Sequence, residues 1–391
     1  MSDYFRTDIA GELRADIRAR STQLLELCRF VWHNPELGMH EERARDAQVK
    51  LLKAFGFEVK TPFAGLETAY LAERGEGKPV FAFAAEYDAL PNIGHACGHN
   101  LICTAAVAAG TAAAEYLARH KLPGKVLVMG TPGEESCGGK VRMLQQNCLD
   151  GVDACMMVHP SFRSTPDTGS TAIRRFDITF HGHAAHAAAT PELGLNALDA
   201  VMLLFQGVNA WRQQLPEDAR IHGIVTKGGV APNIIPDTAS ARFFLRSATD
   251  EGLAKMTPRF LDIVRGAALM TGTKEEIGDF NLPYSARKPN PVMNAIYIAA
   301  MEHEGNHVVI PERAGRGSSD FGNFSQARPG IHPYFGIADR KIPGHSVEFR
   351  EAAGTPYAEK SMFDAAVAMA QVGVQFLTND AARAAIMEAF K

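Results

Sequence analysis

Residues 80–100 read VFAFAAEYDALPNIGHACGHN, a six-residue apolar run that opens into a turn carrying Glu86, Asp88, Cys97 and His99. The run is apolar on both faces, as a strand buried on both sides has to be. An Ala-rich stretch, 101–120, follows and reads as a long helix. Buried strand, turn and helix make the repeating step of a doubly wound α/β sheet. Ligand sites in such sheets collect at the carboxyl ends of the strands. The polar side chains of this turn stand at such an end.

The pattern extends in both directions. Upstream, Leu13, Ile17, Leu24, Leu27 and Val31 keep near-helical spacing until Asn34–Pro35, and a second helix over 41–55 stops at Gly56. Residues 68–72 read as a strand, as do 125–130 and 154–158, the last two separated by a helical stretch. Near residue 172 the texture changes. Residues 173–180 alternate like a half-exposed strand, 196–215 are helical, 223–226 and 239–245 are strand-like, and a helix over 251–270 precedes another polar strand. That β-α-β-β-α-β order predicts a small α+β sandwich of ferredoxin-like type with its helices on one face. Helix and apolar-strand alternation resumes near Pro291. The expected architecture is therefore α/β: a mostly parallel sheet with helices on both faces, formed by 1–171 and 287–391. The expected insert is 172–286.

A chain of 391 residues is long for one core. With 46% hydrophobic and 21% charged residues it reads as globular, and a net charge of −4 gives no reason to bind nucleic acid. No apolar stretch is read as a membrane span, and the first twenty residues lack the apolar core of a secretion signal. The six cysteines (28, 97, 103, 137, 148 and 155) fall in the first half, several inside apparent helices or strands. A reducing cytoplasm is the expectation, with no partner membrane.

Cys97 and His99, two residues apart, can reach one metal or two adjacent ones, and thiolate and neutral imidazole both suit zinc and related ions. Asp88 could hold a ligating histidine by its second ring N–H. Taken alone, the triplet reads better as a small core residue between loop histidines. The segment GTPGEE then places Glu134 beside Glu135 at the end of another apolar strand. Adjacent carboxylates repel, and burying both is costly unless a cation or proton intervenes. With a metal, one carboxylate binds it while the other takes a proton from water; without one, the pair is an acidic helix start. His159 follows a third apolar run and His345 lies in the turn PGHS. Each has a plain reading as a loop histidine. Several strand ends delivering Cys, His and Glu to one sheet edge argue jointly for metal.

The insert carries His181, His183 and His186 within HGHAAH, and Asn233 within GGVAPNIIP. Alternation points His181 and His183 the same way, as surface residues, and leaves His186 in the turn. Asn233 could present its amide to a ligand or cap its own turn. Arg246 could fork onto a carboxylate, of a substrate or of a surface acid.

Together these blocks resemble the aminoacylase and carboxypeptidase G family of dinuclear metallopeptidases, on the amidohydrolase branch that includes aminobenzoyl-glutamate hydrolase and dipeptidase-like proteins. The likeness spans HNPELGMHEERA, DALP with GHACGHN, GTPGEE, MVH, GHAAHAAATPELGLNALDA, GGVAPNIIPD, GSSDFGNFS and PGHSVEF. It implies Cys97, His99, Glu135, His159 and His345 as ligands of two divalent metals, zinc first, with manganese, cobalt or nickel possible. It implies Glu134 as general acid/base, and Asn233 and Arg246 as substrate-binding. It also implies a homodimer through the insert, acting as dimerisation and lid domain, with His186 reaching a partner's active site to stabilise an oxyanion. The expected substrate is a small amide, an N-acyl amino acid, an aminobenzoyl-glutamate-like conjugate or a dipeptide. Two departures stand out. Many relatives have His-x-Asp where this chain has Glu86-Tyr-Asp88, and Asn100 follows His99 where Asp is common on this branch. Two other readings remain at this point: Cys97 as a nucleophile, and a binding homologue that does not cleave.

Overall fold

The computed structural model describes residues 3–135, 137–312, 315 and 317–391. They separate into two compact units. One is built from Met1–Gly169, Arg287–Gly315 and Ser319–Lys391, the other from Ser170–Ala286 with Gly317 and Ser318.

The larger unit opens with helices α1 (Thr7–Ala19), α2 (Ser21–His33) and α3 (Glu42–Ala54). The first periodic stretch divides at Arg20, whose φ of −111° and ψ of 5° leave the helical well. Gly56 ends the α3 region at φ 80°, in the left-handed region a glycine enters freely. Next come β1 (Glu58–Lys60), β2 (Tyr70–Glu76), β3 (Val80–Ala85), α4 (His99–His120), β4 (Gly124–Gly130), α5 (Gly139–Gln145), β5 (Ala154–Met156) and β6 (His159–Ser161). The smaller unit contributes β7 (Ala172–His181), α6 (Ala197–Trp211), β8 (Arg220–Lys227), β9 (Thr238–Ser247), α7 (Asp250–Thr271) and β10 (Lys274–Tyr284). The chain then completes the larger unit with α8 (Pro291–His303), α9 (Phe321–Ala327), β11 (Gly330–Ile331), β12 (Tyr334–Gly336), α10 (Val347–Ala352), α11 (Pro356–Thr378) and α12 (Asp380–Phe390).

The main sheet has the order β1-β2-β4-β3-β5-β11. The pairings β4–β3, β3–β5 and β5–β11 are parallel, whereas β1–β2 and β2–β4 are antiparallel. The sheet is mixed: β4, β3, β5 and β11 are mutually parallel, and the antiparallel edge of β1 and β2 is an addition to the mostly parallel sheet expected. Residues 77–79 alone join β2 to β3, far too few for the crossover of a dozen or more that parallel strands need. Helices cover both faces, and β3 shows why its run is wholly apolar. Phe81, Phe83 and Ala85 enter a core with residues of α4 and α11; Val80, Ala82 and Ala84 enter a second with Met143 of α5 and Phe321 and Phe324 of α9. By length and composition α4 could cross a bilayer, contrary to the reading that no stretch qualifies, but 89% of its apolar window is buried inside the protein. Its apolar surface is core. The pair β6–β12 forms a separate parallel ribbon.

The smaller unit is a four-stranded sheet in the order β10-β7-β9-β8, antiparallel throughout. Burial alternates residue by residue along β9. Its inward side chains Ala241, Phe243 and Leu245 join Phe176, Ile178 and Phe180 of β7 against Val201 and Leu204 of α6 and Phe260 and Val264 of α7.

Candidate metal centre

The site grows from the end of β3. Glu86 and Asp88 follow it directly and are buried. Cys97 and His99 flank Gly98, which has φ 74° and sits where a Cβ would come within 2.5 Å of Pro160 Cγ. The glycine between them is thus required twice, by backbone conformation and by the close approach of the β6 ribbon. That approach brings His159 to Cys97: its Nε2 lies 3.4 Å from Sγ. His159 Nδ1 donates to the Pro160 carbonyl at 2.7 Å, which leaves Nε2 with its lone pair toward the thiol.

His99, the first residue of α4, donates from Nδ1 to Asp88 Oδ1 at 3.0 Å, and the other Asp88 oxygen accepts the Glu135 backbone N–H at 3.0 Å. One buried carboxylate therefore orients a histidine ring and the turn bearing Glu134 and Glu135. Glu41 grips the same turn by accepting the Gly133 N–H at 2.8 Å. His345 arrives from the loop before α10 with φ 58°, held by its N–H to the Ala96 carbonyl at 3.1 Å. Its Nε2 is 3.4 Å from Cys97 Sγ and 3.5 Å from Glu135 Oε1.

Three overlapping donor groups result: Cys97, His99 and His159; Cys97, Glu135 and His345; and His99, Glu134 and Glu135, with donor atoms in each group within 4.8 Å of one another. Cys97, His99 and Glu135 each belong to two groups, the pattern of two adjacent cation positions with shared walls. Electrostatics point the same way. Burial and the charges of Glu135 and Glu134 push the Cys97 thiol well above its usual range. Burial, Glu86 and Glu135 do the same to Glu134. Burial opposes protonation of His99, yet Asp88, Glu86 and Glu135 together raise it to about 10. Burial pushes His159 down to about 3, so its ring is neutral. The cluster is short of positive charge. Buried atoms of three of these residues lack any hydrogen-bond partner: Glu86 Oε2, His99 Nε2 and Glu135 Oε1. Native proteins rarely tolerate such orphans without a ligand to satisfy them. The residues fit divalent cations.

The larger unit thus brings together Cys97, His99, Glu134, Glu135, His159 and His345, with Asp88 behind them. The other candidates lie in the smaller unit. His186 pairs with Ile234 in an isolated bridge, and its Nδ1 accepts the N–H groups of Ala188 and Ala189 at 3.3 and 3.1 Å. That fixes the hydrogen of a neutral ring on Nε2, an outward donor. Asn233 is exposed, and its carbonyl accepts the Ala187 N–H at 3.0 Å. Arg246 donates to Ser318 Oγ at 2.8 Å. His181 and His183 are exposed; His181 meets Glu276 at 2.8 Å and His183 Nδ1 the Leu193 carbonyl at 3.0 Å, as surface residues do. Sequence reasoning missed Lys140, Asp320 and Glu41 around the site. Asp320 and Glu41 sit inside quoted blocks, GSSDFGNFS and HNPELGMHEERA, but Lys140 carries no periodic or motif signal.

Residues 82–361 match the model of peptidase family M20/M25/M40. The chain belongs to this family. The peptidase is 35% identical to the Xaa-Arg dipeptidase of Mus musculus, over 93% of its own length and 88% of that protein. It is 33% identical to one of the subunits of the p-aminobenzoyl-glutamate hydrolase of Escherichia coli, over 74% of its length and 64% of that protein. It shares its fold with a dinuclear metal-binding M20 peptidase of Bacillus subtilis, 22% identical, at a TM-score of 0.67, covering 90% of this chain and 98% of that one. Family and donor cluster together make it a metal-dependent hydrolase of amide or peptide bonds in small substrates, with a site that fits the dinuclear M20 type.

Proposed function

We propose that this peptidase hydrolyses dipeptides or N-acyl amino acids, with two divalent cations held by Cys97, His99, Glu135, His159 and His345. The observation that carries the reading is the shared donor cluster with its orphaned His99 Nε2 and Glu135 Oε1. When bound, such cations polarise a carbonyl and lower the pKa of water from 15.7 to about 7. Glu134, beside the ligand Glu135, accepts a proton from the attacking water and returns it to the leaving nitrogen. In the metal-free chain burial, Glu86 and Glu135 hold its proton tightly; bound cations would lower that affinity toward the range in which a carboxylate can take a proton from water and give it back. Asp88 holds the His99 ring by Nδ1 and leaves Nε2 open, where it would serve as a ligand. His186 offers its Nε2–H to the oxyanion, Asn233 its amide to the substrate, and Arg246 a planar fork to a carboxylate.

Zinc is the first expectation, with manganese, cobalt and nickel compatible with the same donors. The smaller unit is ferredoxin-like in its strand order and serves as lid and dimer interface, His186 acting in the partner's site. Support comes from β8, an edge strand whose Ile224 and Val225 are 62% and 44% exposed. The cytoplasm is the proposed compartment, consistent with six cysteines that form no disulfide among the described residues.

A thiol nucleophile fits less well. His159 binds a proton too weakly to ionise a thiol pushed up by burial, so that pair rests as thiol and neutral ring. A non-cleaving homologue would have no use for Glu134.

The test is elemental analysis with a substrate panel on one preparation: dipeptides ending in Arg or Lys, N-acyl amino acids and aminobenzoyl-glutamate. Two divalent ions per chain with turnover of one of these classes is expected. A metal-free chain with full turnover would refute the reading.

A further inference from the structure

Behind the metal centre lie three fully enclosed ionisable side chains, Glu86, Lys140 and Asp320. Lys140 Nζ donates to Asp320 Oδ1 at 2.8 Å and to Glu86 Oε1, and its backbone N–H donates to Asp320 Oδ2 at 2.9 Å. Asp320 therefore grips Lys140 by main chain and side chain together. Burying three ions is costly, and apolar residues of similar volume would serve packing at least as well. One ammonium against two carboxylates also leaves one negative charge over. The position of that charge is specific. Glu86 Oε2, the oxygen Lys140 does not engage, has no hydrogen-bond partner and lies 3.7 Å from Nε2 of His99. That nitrogen is the one Asp88 leaves open by binding the other side of the ring.

We propose that Glu86 is an acceptor for the cation at His99, directly or through one ordered water, and that Lys140 and Asp320 clamp its carboxylate in that orientation. The inference rests on the metal reading above and extends it. Glu86 then holds the cation or its bound water, and Lys140 is a positioning residue that acts through Glu86. The buried lysine serves a geometric purpose: by taking Oε1 it turns Oε2 toward His99.

The test uses the metal-depleted full chain titrated with Co²⁺, following heat and visible absorption. Glu86→Gln keeps the side chain's shape and leaves Lys140 paired with Asp320, so no buried charge is stranded. It should still take up two ions, with one bound about 10–100-fold more weakly and its absorption altered. Asp320→Asn, which loosens the clamp, should weaken the same ion. Uptake of both ions by Glu86→Gln with unchanged affinity and absorption would overturn the proposal. Should metal-free Glu86→Gln fail to unfold cooperatively, Glu86→Asp retains the charge but draws the oxygen back, and is expected to weaken the same ion; wild-type affinity there would equally overturn it. A wild-type chain that binds no Co²⁺ would sink the metal reading itself, whereas normal wild-type binding with an unaffected Glu86→Gln sinks only this inference.

Discussion

Cys97 Sγ lies 3.4 Å from Nε2 of His345, although 248 positions separate the two residues in the chain. The contact is made by main chain as much as by side chain, since the His345 N–H is pinned to the carbonyl next to Cys97. Yet His345 is 58% exposed at its side chain, while His99 is fully enclosed. The two ends of the centre are unequal: one is built into the core and one closes from the surface.

His345→Ala should therefore separate activity from folding. An exposed side chain contributes little to stability, and a change within about 0.5 kcal/mol is expected in denaturant unfolding of the metal-free chain. One of the two cations should be held loosely or lost, and turnover should fall by at least about 10²-fold, measured with metal content on the same sample.

Metal binding should release protons. In the metal-free chain His99 holds a proton up to about pH 10, because Asp88, Glu86 and Glu135 outweigh the effect of burial, and the buried Cys97 stays a thiol. Both groups must deprotonate to ligate, and Glu134, whose proton is held by burial, Glu86 and Glu135, must lose it to act as a base, so at least two protons should leave per chain. Affinity should accordingly rise with pH, by ~100-fold or more per unit near neutrality. Calorimetry in buffers of different ionisation heat measures the number directly. Binding with no buffer dependence would contradict it.

Glu41 gives a stability prediction with an unusual sign. It is fully enclosed, accepting from Thr68 Oγ1 and the Gly133 N–H, both at 2.8 Å. Burial, reinforced by the charge of Asp88, pushes its carboxyl up to about 7 from the usual 4.5. The folded chain then holds this proton more tightly than the unfolded chain. Its stabilising share is complete below the unfolded value of 4.5 and is lost as pH climbs to about 7. The loss is on the order of 3 kcal/mol. Glu41→Gln, which mimics the protonated form, should be free of that decline in urea unfolding of the metal-depleted chain. Parallel pH curves for the two proteins would contradict the assignment.

How much of this was legible before the structure depends on how local each cause is. The strand at 80–85 shows in its unbroken apolar run, and the stop of α3 shows in Gly56, because each is set by its immediate neighbours. The antiparallel edge was missed. β1 has three residues and β2 ends in the polar Arg-Gly-Glu, so neither carries a long periodic signal, and strand direction follows from the three-residue link at 77–79. The ribbon β6–β12 was missed for the same reason, with three residues in each strand. At the site, His159 and His345 stood out by residue type at strand and turn ends. Lys140 did not, since a lysine in a helix reads as surface until Glu86 and Asp320 are found around it.

Glu134→Gln tests the central claim most directly. It keeps the size of the side chain and the neighbouring proposed ligands but removes the proposed base. Metal content and turnover, measured on one preparation beside the wild type, should show two divalent ions retained and turnover reduced by at least about 10²-fold. Full turnover in the variant, or wild-type turnover that survives exhaustive chelation, would contradict the account.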